Sequence, residues 1–201
     1  MSNAISWRLY VIVDAAACGA RPLTEVAEQA IRGGADAIQL RNKSASKQML
    51  LEQAKQLLPI ARAARVPLII NDHVDVAVAA GADGVHLGQE DLPVREARKR
   101  LGPDRIIGQS THDLRQALIA SLEGVNYLAL GPLYATPTKP DYEAVGLEMI
   151  REVQDRIDTP IVCIGGIDQT TLPEVMRAGA TCVAVVRAVC AAPDPAASAR
   201  A

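Results

Sequence analysis

The chain has 201 residues, a mass of 21.3 kDa and a formal net charge of -2, from 21 basic and 23 acidic side chains. This balance excludes a general attraction to nucleic acid or to an anionic membrane, so an anionic ligand must be bound by a local group of charges. The length suits one domain, which we expect to span residues 1–201. Hydrophobic residues make up 49% of the sequence but aromatic residues only 2%. That composition is typical of parallel strands covered by helices.

Eight short apolar runs, rich in β-branched residues, predict eight strands. In chain order they are RLYVIV from Arg8, GGADAIQL from Gly33, VPLIIN from Val66, AGADGVHL from Ala80, DRIIGQ from Asp104, EGVNYLAL from Glu123, TPIVCIG from Thr159 and AGATCVAVV from Ala178. Four of them repeat one pattern, in which Gly stands where a helix ends and an apolar strand follows. Gly adopts the left-handed conformation of a helix C-cap without a Cβ clash, so the predicted order is helix, tight turn, strand.

Helical patterns fill the intervals between the strands. They cover Pro22–Arg32, Ser44–Arg65, Val74–Ala80, Pro93–Leu101, His112–Leu122, Leu147–Ile157 and Thr171–Ala178, with a weaker pattern from Arg187. Alternating strands and helices with right-handed crossovers form either an open doubly wound sheet or a closed barrel. Eight strands favour closure, so we predict a single-domain (β/α)8 TIM barrel. The ends, 1–6 and 192–201, have no core-forming pattern, and we expect them to be flexible.

The cysteines and the apolar runs bear on the compartment. Cys18, Cys163, Cys182 and Cys190 form no C-x-x-C pair, which predicts reduced thiols and no metal site among them. No apolar run reaches the roughly 18 residues that span a bilayer, and the N-terminus does not resemble a signal peptide. We therefore expect a soluble, cytoplasmic protein without a membrane partner. Residues 2–4 resemble a cloning scar and carry no weight.

Polar residues follow seven of the eight predicted strands. The loops after the strands of a (β/α)8 barrel converge over one mouth, where ligands bind. These loops contain Gln39 to Lys43, Asn71-Asp72, Gly88 to Asp91, Ser110 to His112, the segment GPLYATPTKPDYEAVG, Gly165-Gly166 and Val186-Arg187. We therefore expect cations, amides, hydroxyls and carboxylates to share one pocket.

The residue types at this mouth suit a diphosphate and a divalent cation. The backbone N–H groups of Gly165-Gly166, beside the start of a helix, would accept phosphate oxygens. Arg41, Lys43 and Lys139 add more positive charge than one phosphate monoester needs. Asp72 and Asp91 offer hard oxygen ligands to Mg²⁺, whose other ligands would be phosphate and water.

Each residue also has a purely structural interpretation. Asp91 precedes Pro93 by two positions and Asp72 precedes the helix from Val74, so either carboxylate could cap a helix. Gln39, Arg41 and Lys43 could form a solvated rim, and Gly165-Gly166 could be a simple turn. Thr136, Thr138 and Lys139 could lie in an exposed loop. Ser110 could simply start a helix, and His86 and His112 could be structural. All of these interpretations would have to hold at one rim, which favours a functional site.

From Leu9 to about Val189 the chain resembles the thiamine phosphate synthases. The resemblance rests on QLRNK at Gln39, ND at Asn71, GADGVHLGQED ending at Asp91, the turn Ser110-Thr111-His112, GPLYATPTKP from Gly131 and IGGI at Ile164. It implies a (β/α)8 transferase of thiamine biosynthesis that requires Mg²⁺. The implied reaction joins hydroxymethylpyrimidine diphosphate to hydroxyethylthiazole phosphate and releases pyrophosphate.

The resemblance also implies roles for single residues. The pyrimidine diphosphate site would comprise Gln39, Leu40, Arg41, Asn42, Lys43, Asn71, Ser110 and Lys139, of which Arg41, Lys43, Ser110 and Lys139 would be catalytic. Asp72 and Asp91 resemble the Mg²⁺ ligands. The thiazole phosphate site would comprise Thr136, Pro137, Thr138, Gly166, Val186 and Arg187. Arg187 departs from the family, which usually has Ser there, so the second substrate is less well defined than the first.

Two alternative functions remain open from the sequence. A thiazole tautomerase-like paralogue would share the barrel, but it would not need both aspartates and the whole QLRNK run. A noncatalytic protein that binds thiamine phosphates would keep the site without turnover. In each case the expected partners are small phosphorylated molecules; a homo-oligomer is compatible with the sequence, and the loop Pro140–Ala144 is a candidate lid.

Overall fold

A computed structural model of the chain describes residues 5–136 and 143–201. Eight parallel strands close into a barrel in chain order, with β8 hydrogen-bonded to β1. The strands are β1 (Leu9–Asp14), β2 (Ala37–Arg41), β3 (Leu68–Asn71), β4 (Gly84–Leu87), β5 (Ile106–Thr111), β6 (Tyr127–Leu130), β7 (Ile161–Ile164) and β8 (Val183–Val185). The predicted (β/α)8 barrel is confirmed, and each predicted run overlaps its strand, although β1, β2 and β5 extend one or two residues beyond the run.

Helices surround the barrel. They are α1 (Ala15–Cys18), α2 (Leu23–Gly33), α3 (Lys47–Ala64), α4 (Val74–Ala80), α5 (Val94–Leu101), α6 (Leu114–Leu122), α7 (Glu148–Gln154), α8 (Leu172–Arg177), α9 (Arg187–Cys190) and α10 (Pro195–Arg200). Two of them begin later than predicted because a side chain caps the first turn: Ser46 accepts from the N–H of Met49, and Asp113 from that of Gln116. Within the described ranges no helix is long and apolar enough to cross a membrane.

The C-terminal segment corrects the prediction of a flexible tail over 192–201. Residues Pro195–Arg200 form α10, whose N-cap Asp194 accepts from the N–H of Ala197 at 2.9 Å. The helix packs on α2 so closely that a Cβ on Gly33 would lie 2.5 Å from the Cβ of Ala199. The tail was missed because its stability comes from this groove on α2 and not from an apolar pattern of its own. At the other end, residues 1–4 lie outside the described part of the chain.

The repeated Gly-containing turns close the bottom of the barrel. Gly34 and Gly81 follow α2 and α4 in the left-handed conformation, as predicted. In three of the four repeats, a residue shortly after the glycine has a side-chain oxygen that accepts from a backbone N–H near the start of another strand. These bonds run from Leu9 to Asp36, from Leu68 to Asp83 and from Ile107 to Asn126. The repeat therefore fixes both the end of a helix and the start of an adjacent strand.

The interior has two apolar layers. The larger one lies between the strands and the helices and consists almost entirely of aliphatic side chains. The smaller one fills the barrel and contains Tyr10 and Tyr127, whose rings are 5.8 Å apart, together with Ile69. Trp7, just before β1, packs against both tyrosines. Most of the few aromatic residues are therefore gathered inside the barrel, beneath its mouth.

Candidate active site

The carboxyl ends of the strands surround a cavity of about 870 Å³. Its lining brings together eleven of the residues that the sequence singled out: Gln39, Arg41, Lys43, Asn71, Asp72, Asp91, Ser110, Thr136, Gly166, Val186 and Arg187. Three others, Pro137, Thr138 and Lys139, lie outside the described residues, as does most of the candidate lid Pro140–Ala144. One rim of the barrel therefore does hold the expected mixture of charges and polar groups.

Leu40 and Asn42 are placed away from this cavity, because successive side chains of a strand point to opposite faces. Gln39 and Arg41 face the interior of the barrel, whereas Leu40 is fully buried in the outer apolar layer. The amide of Asn42 donates to Oε1 of Gln53 on α3 at 3.3 Å. The structure thus separates these two side chains from the rest of the predicted set.

Arg41 has a buried partner that the sequence did not reveal. Asp14, the last residue of β1, is the register partner of Arg41, and its Oδ2 forms an ion pair with the guanidinium. The side chain of Asp14 is only 5% exposed, and its Oδ1 also accepts from the N–H of Ala17. Asp14 therefore fixes the guanidinium at the mouth. The available signal was its position: it ends the first strand, as the predicted site residues end theirs.

Asp72 adopts an unusual backbone conformation. Its φ is +63°, and among described residues other than Gly only Arg65 shares a positive φ. A three-residue turn is closed around it by the bond from the N–H of His73 to the carbonyl of Asn71, at 2.8 Å. Its Oδ2 accepts from Lys43 Nζ. The helix-cap interpretation is wrong for Asp72, because α4 follows His73 and has no side-chain cap. Such strain is concentrated at functional sites.

Asp91 likewise does not cap the helix that follows it, since α5 starts after Pro93 without a side-chain cap. Its Oδ2 instead accepts from the N–H of Gly88 at 2.7 Å. Burial raises the pKa of the Asp91 carboxyl, and the adjacent carboxylate of Asp72 raises it further, against the Gly88 N–H and the charge of Lys43. The two carboxylates are thus neighbours on one side of the mouth. Within the described ranges, no group of three or more His, Cys, Asp or Glu side chains could hold a metal ion.

Ser110 and Gln39 are tied to groups inside the barrel. Ser110 Oγ lies 2.9 Å from Nε2 of His86, and the Gln39 amide donates to the hydroxyl of Tyr10 at 2.7 Å. The Ser110 carbonyl accepts from Nε2 of Gln89 at 2.6 Å. The ring of His112 is hydrogen-bonded to the carbonyl of Gly131. Both histidines thus make structural contacts, as the sequence suggested, although they also line the cavity.

The opposite side of the mouth is made by the loops after β7 and β8. Gly165 and Gly166 have φ values of +102° and +67°, and a Cβ on Gly166 would lie 2.6 Å from that of Tyr134. The expectation of a helix start beside these glycines is wrong, because a turn built around Asp168 separates them from α8. Arg187 is exposed at the first position of α9. Among the described residues that line the cavity, Arg187 provides the positive charge on this side.

Comparisons with known proteins agree over nearly the whole chain. The family model described as "Thiamine monophosphate synthase" matches residues 9–189. A thiamine-phosphate synthase of Chloroflexus aurantiacus is 48% identical over 201 residues, which are 100% of this chain and 93% of the relative. One from Roseiflexus castenholzii is 46% identical over 194 residues, 96% of this chain and 85% of the relative. A solved thiamine phosphate pyrophosphorylase of Pyrococcus furiosus superposes with a TM-score of 0.88 and 36% identity, covering 96% and 92% of the two chains.

Proposed function

The chain belongs to the thiamine monophosphate synthase family, and from that premise we propose how its barrel mouth works. The enzyme is a transferase that couples hydroxymethylpyrimidine diphosphate with hydroxyethylthiazole phosphate. A C–N bond forms, a C–O bond breaks, and the products are thiamine phosphate and pyrophosphate. The observation that carries the proposal is the convergence of Arg41, Lys43, Asp72 and Asp91 on one side of a single cavity, with Gly166 and Arg187 on the other.

The diphosphate binds over the ends of β2 and β3 in this proposal. Arg41 is held in place by Asp14, and Lys43 reaches the same region from an exposed position. Lys139, from the loop after β6, supplies the third positive charge. These cations stabilise the negative charge that develops on the departing oxygens, and Gln39, Asn71 and Ser110 orient the pyrimidine ring.

Asp72 and Asp91 hold Mg²⁺. The donor set fits a hard cation: two carboxylates face each other, and burial together with their mutual repulsion disfavours the charged pair when no cation is between them. Two protein ligands leave room for diphosphate oxygens and water, which is the usual arrangement for Mg²⁺. When bound, the ion neutralises charge on the diphosphate.

The reaction needs no nucleophile from the protein. The C–O bond breaks heterolytically, its electron pair leaves with the pyrophosphate oxygen, and the electron-rich aminopyrimidine stabilises the cation that remains. The lone pair of the thiazole nitrogen then forms the new C–N bond. The residues described above therefore act by binding, by orienting the two rings and by stabilising the leaving group, which is the work expected of a dissociative displacement.

The thiazole phosphate binds on the opposite side of the mouth. Thr136 supplies a hydroxyl, Gly166 and Val186 supply backbone groups, and Arg187 supplies a charge; Pro137 and Thr138 complete the loop. Because the family usually has Ser at the position of Arg187, we expect this chain to bind the thiazole phosphate with an added electrostatic contribution.

The test is to mix the protein with both substrates and Mg²⁺ and to measure thiamine phosphate and pyrophosphate. We expect both products in equal amounts, and none when either substrate is omitted. Binding of both substrates without product would identify the noncatalytic alternative. Proton exchange on the thiazole without coupling would identify the tautomerase alternative.

Because all four cysteines are reduced and buried, a cytoplasmic location also stays our prediction.

A further inference from the structure

A buried hydrogen-bond network crosses the barrel beneath the cavity. It runs from Gln39 Nε2 to Tyr10 Oη (2.7 Å), from there to Tyr127 Oη (3.0 Å), then to His86 Nδ1 (2.9 Å), and from His86 Nε2 to Ser110 Oγ (2.9 Å). None of the five side chains is more than 7% exposed. They come from β1, β2, β4, β5 and β6. The buried network therefore connects Gln39 and Ser110 at the mouth through Tyr10 and Tyr127, which lie below the cavity, and through His86, which also lines it.

The first bond sets the direction of all the others. The amide nitrogen of Gln39 can only donate, so Tyr10 accepts from it, and the Tyr10 proton finds an acceptor within the network only if it is donated to Tyr127. Burial raises the pKa of Tyr10, and burial together with Tyr10 raises that of Tyr127, so both phenols keep their protons. Tyr127 then donates to Nδ1 of His86. This selects the tautomer with hydrogen on Nε2, which donates to Ser110.

We propose that Tyr10, Tyr127 and His86 are positioning residues that determine together which atoms Gln39 and Ser110 present to the ligand. In the direction described, the Oε1 of Gln39 is left as an acceptor and the hydroxyl proton of Ser110 is left as a donor. Rotation of the Gln39 amide would place an acceptor against Tyr10. All four bonds would then have to reverse, because any single reversal sets two donors or two acceptors against each other.

The buried network therefore determines the hydrogen-bonding groups that meet two ends of one ligand. A ligand that fits offers a hydrogen-bond donor at Gln39 and an acceptor at Ser110. An aminopyrimidine carrying a diphosphate does so, whereas an oxopyrimidine places an acceptor where the amine should be. The inference rests on the proposed function for the identity of the ligand, and it adds that discrimination between the amino and oxo rings depends on Tyr10 and Tyr127, which lie outside the lining of the cavity and act through Gln39 and His86.

The ring of Tyr127 can keep its place when its hydroxyl is removed. It stacks on His86 at a centroid distance of 5.6 Å and packs against Tyr10. Gly108 provides the space, since a Cβ there would lie 2.0 Å from the Tyr127 ring. The variant Tyr127→Phe therefore removes two hydrogen bonds of the network and leaves the packing. Tyr10→Phe does the same at the neighbouring position.

The first experiment determines the tautomer of His86 by ¹⁵N NMR of histidine-labelled protein. The chain has three histidines, and the variants His73→Gln and His112→Gln assign the other two. We expect the Nε2–H tautomer of neutral His86 in the intact protein and a mixture of tautomers in Tyr127→Phe. An Nδ1–H tautomer in the intact protein would overturn the proposed direction, whether or not the protein forms thiamine phosphate.

The second experiment compares the dissociation constants of the 4-amino and 4-oxo pyrimidine diphosphates by calorimetry, without the thiazole. We expect Tyr127→Phe and Tyr10→Phe each to reduce the preference for the amino compound by about tenfold or more. Ile69→Val, a buried change in the same apolar layer, should leave the preference unchanged. Equal weakening of both ligands in the phenylalanine variants would show a merely structural role and refute the proposal. A preference that the phenylalanine variants keep in full would also refute the proposal, whereas a preference of the unaltered protein for the amino compound without turnover would count only against the proposed function.

Discussion

Replacing Asp91 with Asn separates the role of this carboxylate in catalysis from its role in folding. The substitution keeps the shape of the side chain and an oxygen that can accept from the N–H of Gly88. It removes one negative charge that faces Asp72. We therefore expect a large loss of turnover together with an intact fold.

The magnitudes follow from the two environments of the carboxylate. The bond to Gly88, 2.7 Å long, changes from charge-assisted to neutral, and the repulsion from Asp72 disappears. These effects oppose each other at a partly exposed site, so the free energy of unfolding without Mg²⁺ should change by less than about 1 kcal/mol. Because the fold raises the pKa of Asp91 and so favours its neutral form, the sign should be toward higher stability. Loss of one of the two proposed Mg²⁺ ligands, and with it of charge stabilisation at the leaving group, should lower kcat/KM by about 10²–10³-fold, or ~2.7–4 kcal/mol.

Two measurements check this expectation. One is kcat/KM for the pyrimidine diphosphate at limiting Mg²⁺, and the other is the rise in Tm produced by Mg²⁺ with pyrophosphate. Asp75→Asn is the matched control, because it removes a nearby acid that pairs with Lys47 at 2.6 Å outside the main cavity. If Asp91→Asn kept normal rates and the full rise in Tm, the assignment of the metal to Asp72 and Asp91 would be wrong.

Three further changes test other parts of the structure. Gly166→Ala should raise KM for the thiazole phosphate and destabilise the protein by at least about 1 kcal/mol. Gly124→Ala is the control, because Gly124 also has a positive φ, +80°, but has open space at its Cβ position; this variant should lower stability without affecting KM. Arg187→Ser should raise that KM by about tenfold, and the rise should shrink at high salt; an equal effect of Arg156→Ala would contradict a local role. Burial raises the pKa of Cys163 to about 12. The neutral thiol therefore makes its full contribution to the free energy of unfolding below the pKa of the unfolded chain, about 8.5, and that contribution decreases above this pH by ~1.4 kcal/mol per pH unit. Urea unfolding between pH 7.5 and 10 should therefore show a smaller loss of stability in Cys163→Ala, and identical slopes would refute this reasoning.

The barrel and much of its mouth could be predicted because the relevant signals are local. A Gly at the end of a helix, followed by an apolar run, specifies one helix, turn and strand, and four copies of that pattern define the architecture. The ends of the strands then identify Gln39, Arg41 and Asp72 without any knowledge of distances, since parallel strands bring their carboxyl ends to one rim.

Local rules failed where a partner comes from another element. Asp72 and Asp91 look like helix caps in the sequence, but the backbone turn at Asp72 and the N–H of Gly88 direct both carboxylates to the mouth. Asp14 was missed because its importance depends on the register of β1 against β2, which places it beside Arg41. The buried network was missed for the same reason: an isolated tyrosine in an apolar run does not reveal a hydrogen bond across the barrel.

The two cations after β2 differ in a way that only the structure makes visible. Arg41 is 16% exposed and pairs with the almost buried Asp14, whereas Lys43 is 59% exposed and pairs with Asp72, which we assign to the metal. A Mg²⁺ ion held by Asp72 and Asp91 would compete with Lys43 for the oxygens of Asp72. With the diphosphate bound, we therefore expect Lys43 to be available to a phosphate oxygen, whereas Arg41 would remain fixed by Asp14. The end of β2 and the loop after it would thus provide one preorganised cation, Arg41, and one more exposed cation, Lys43, that can move to the ligand.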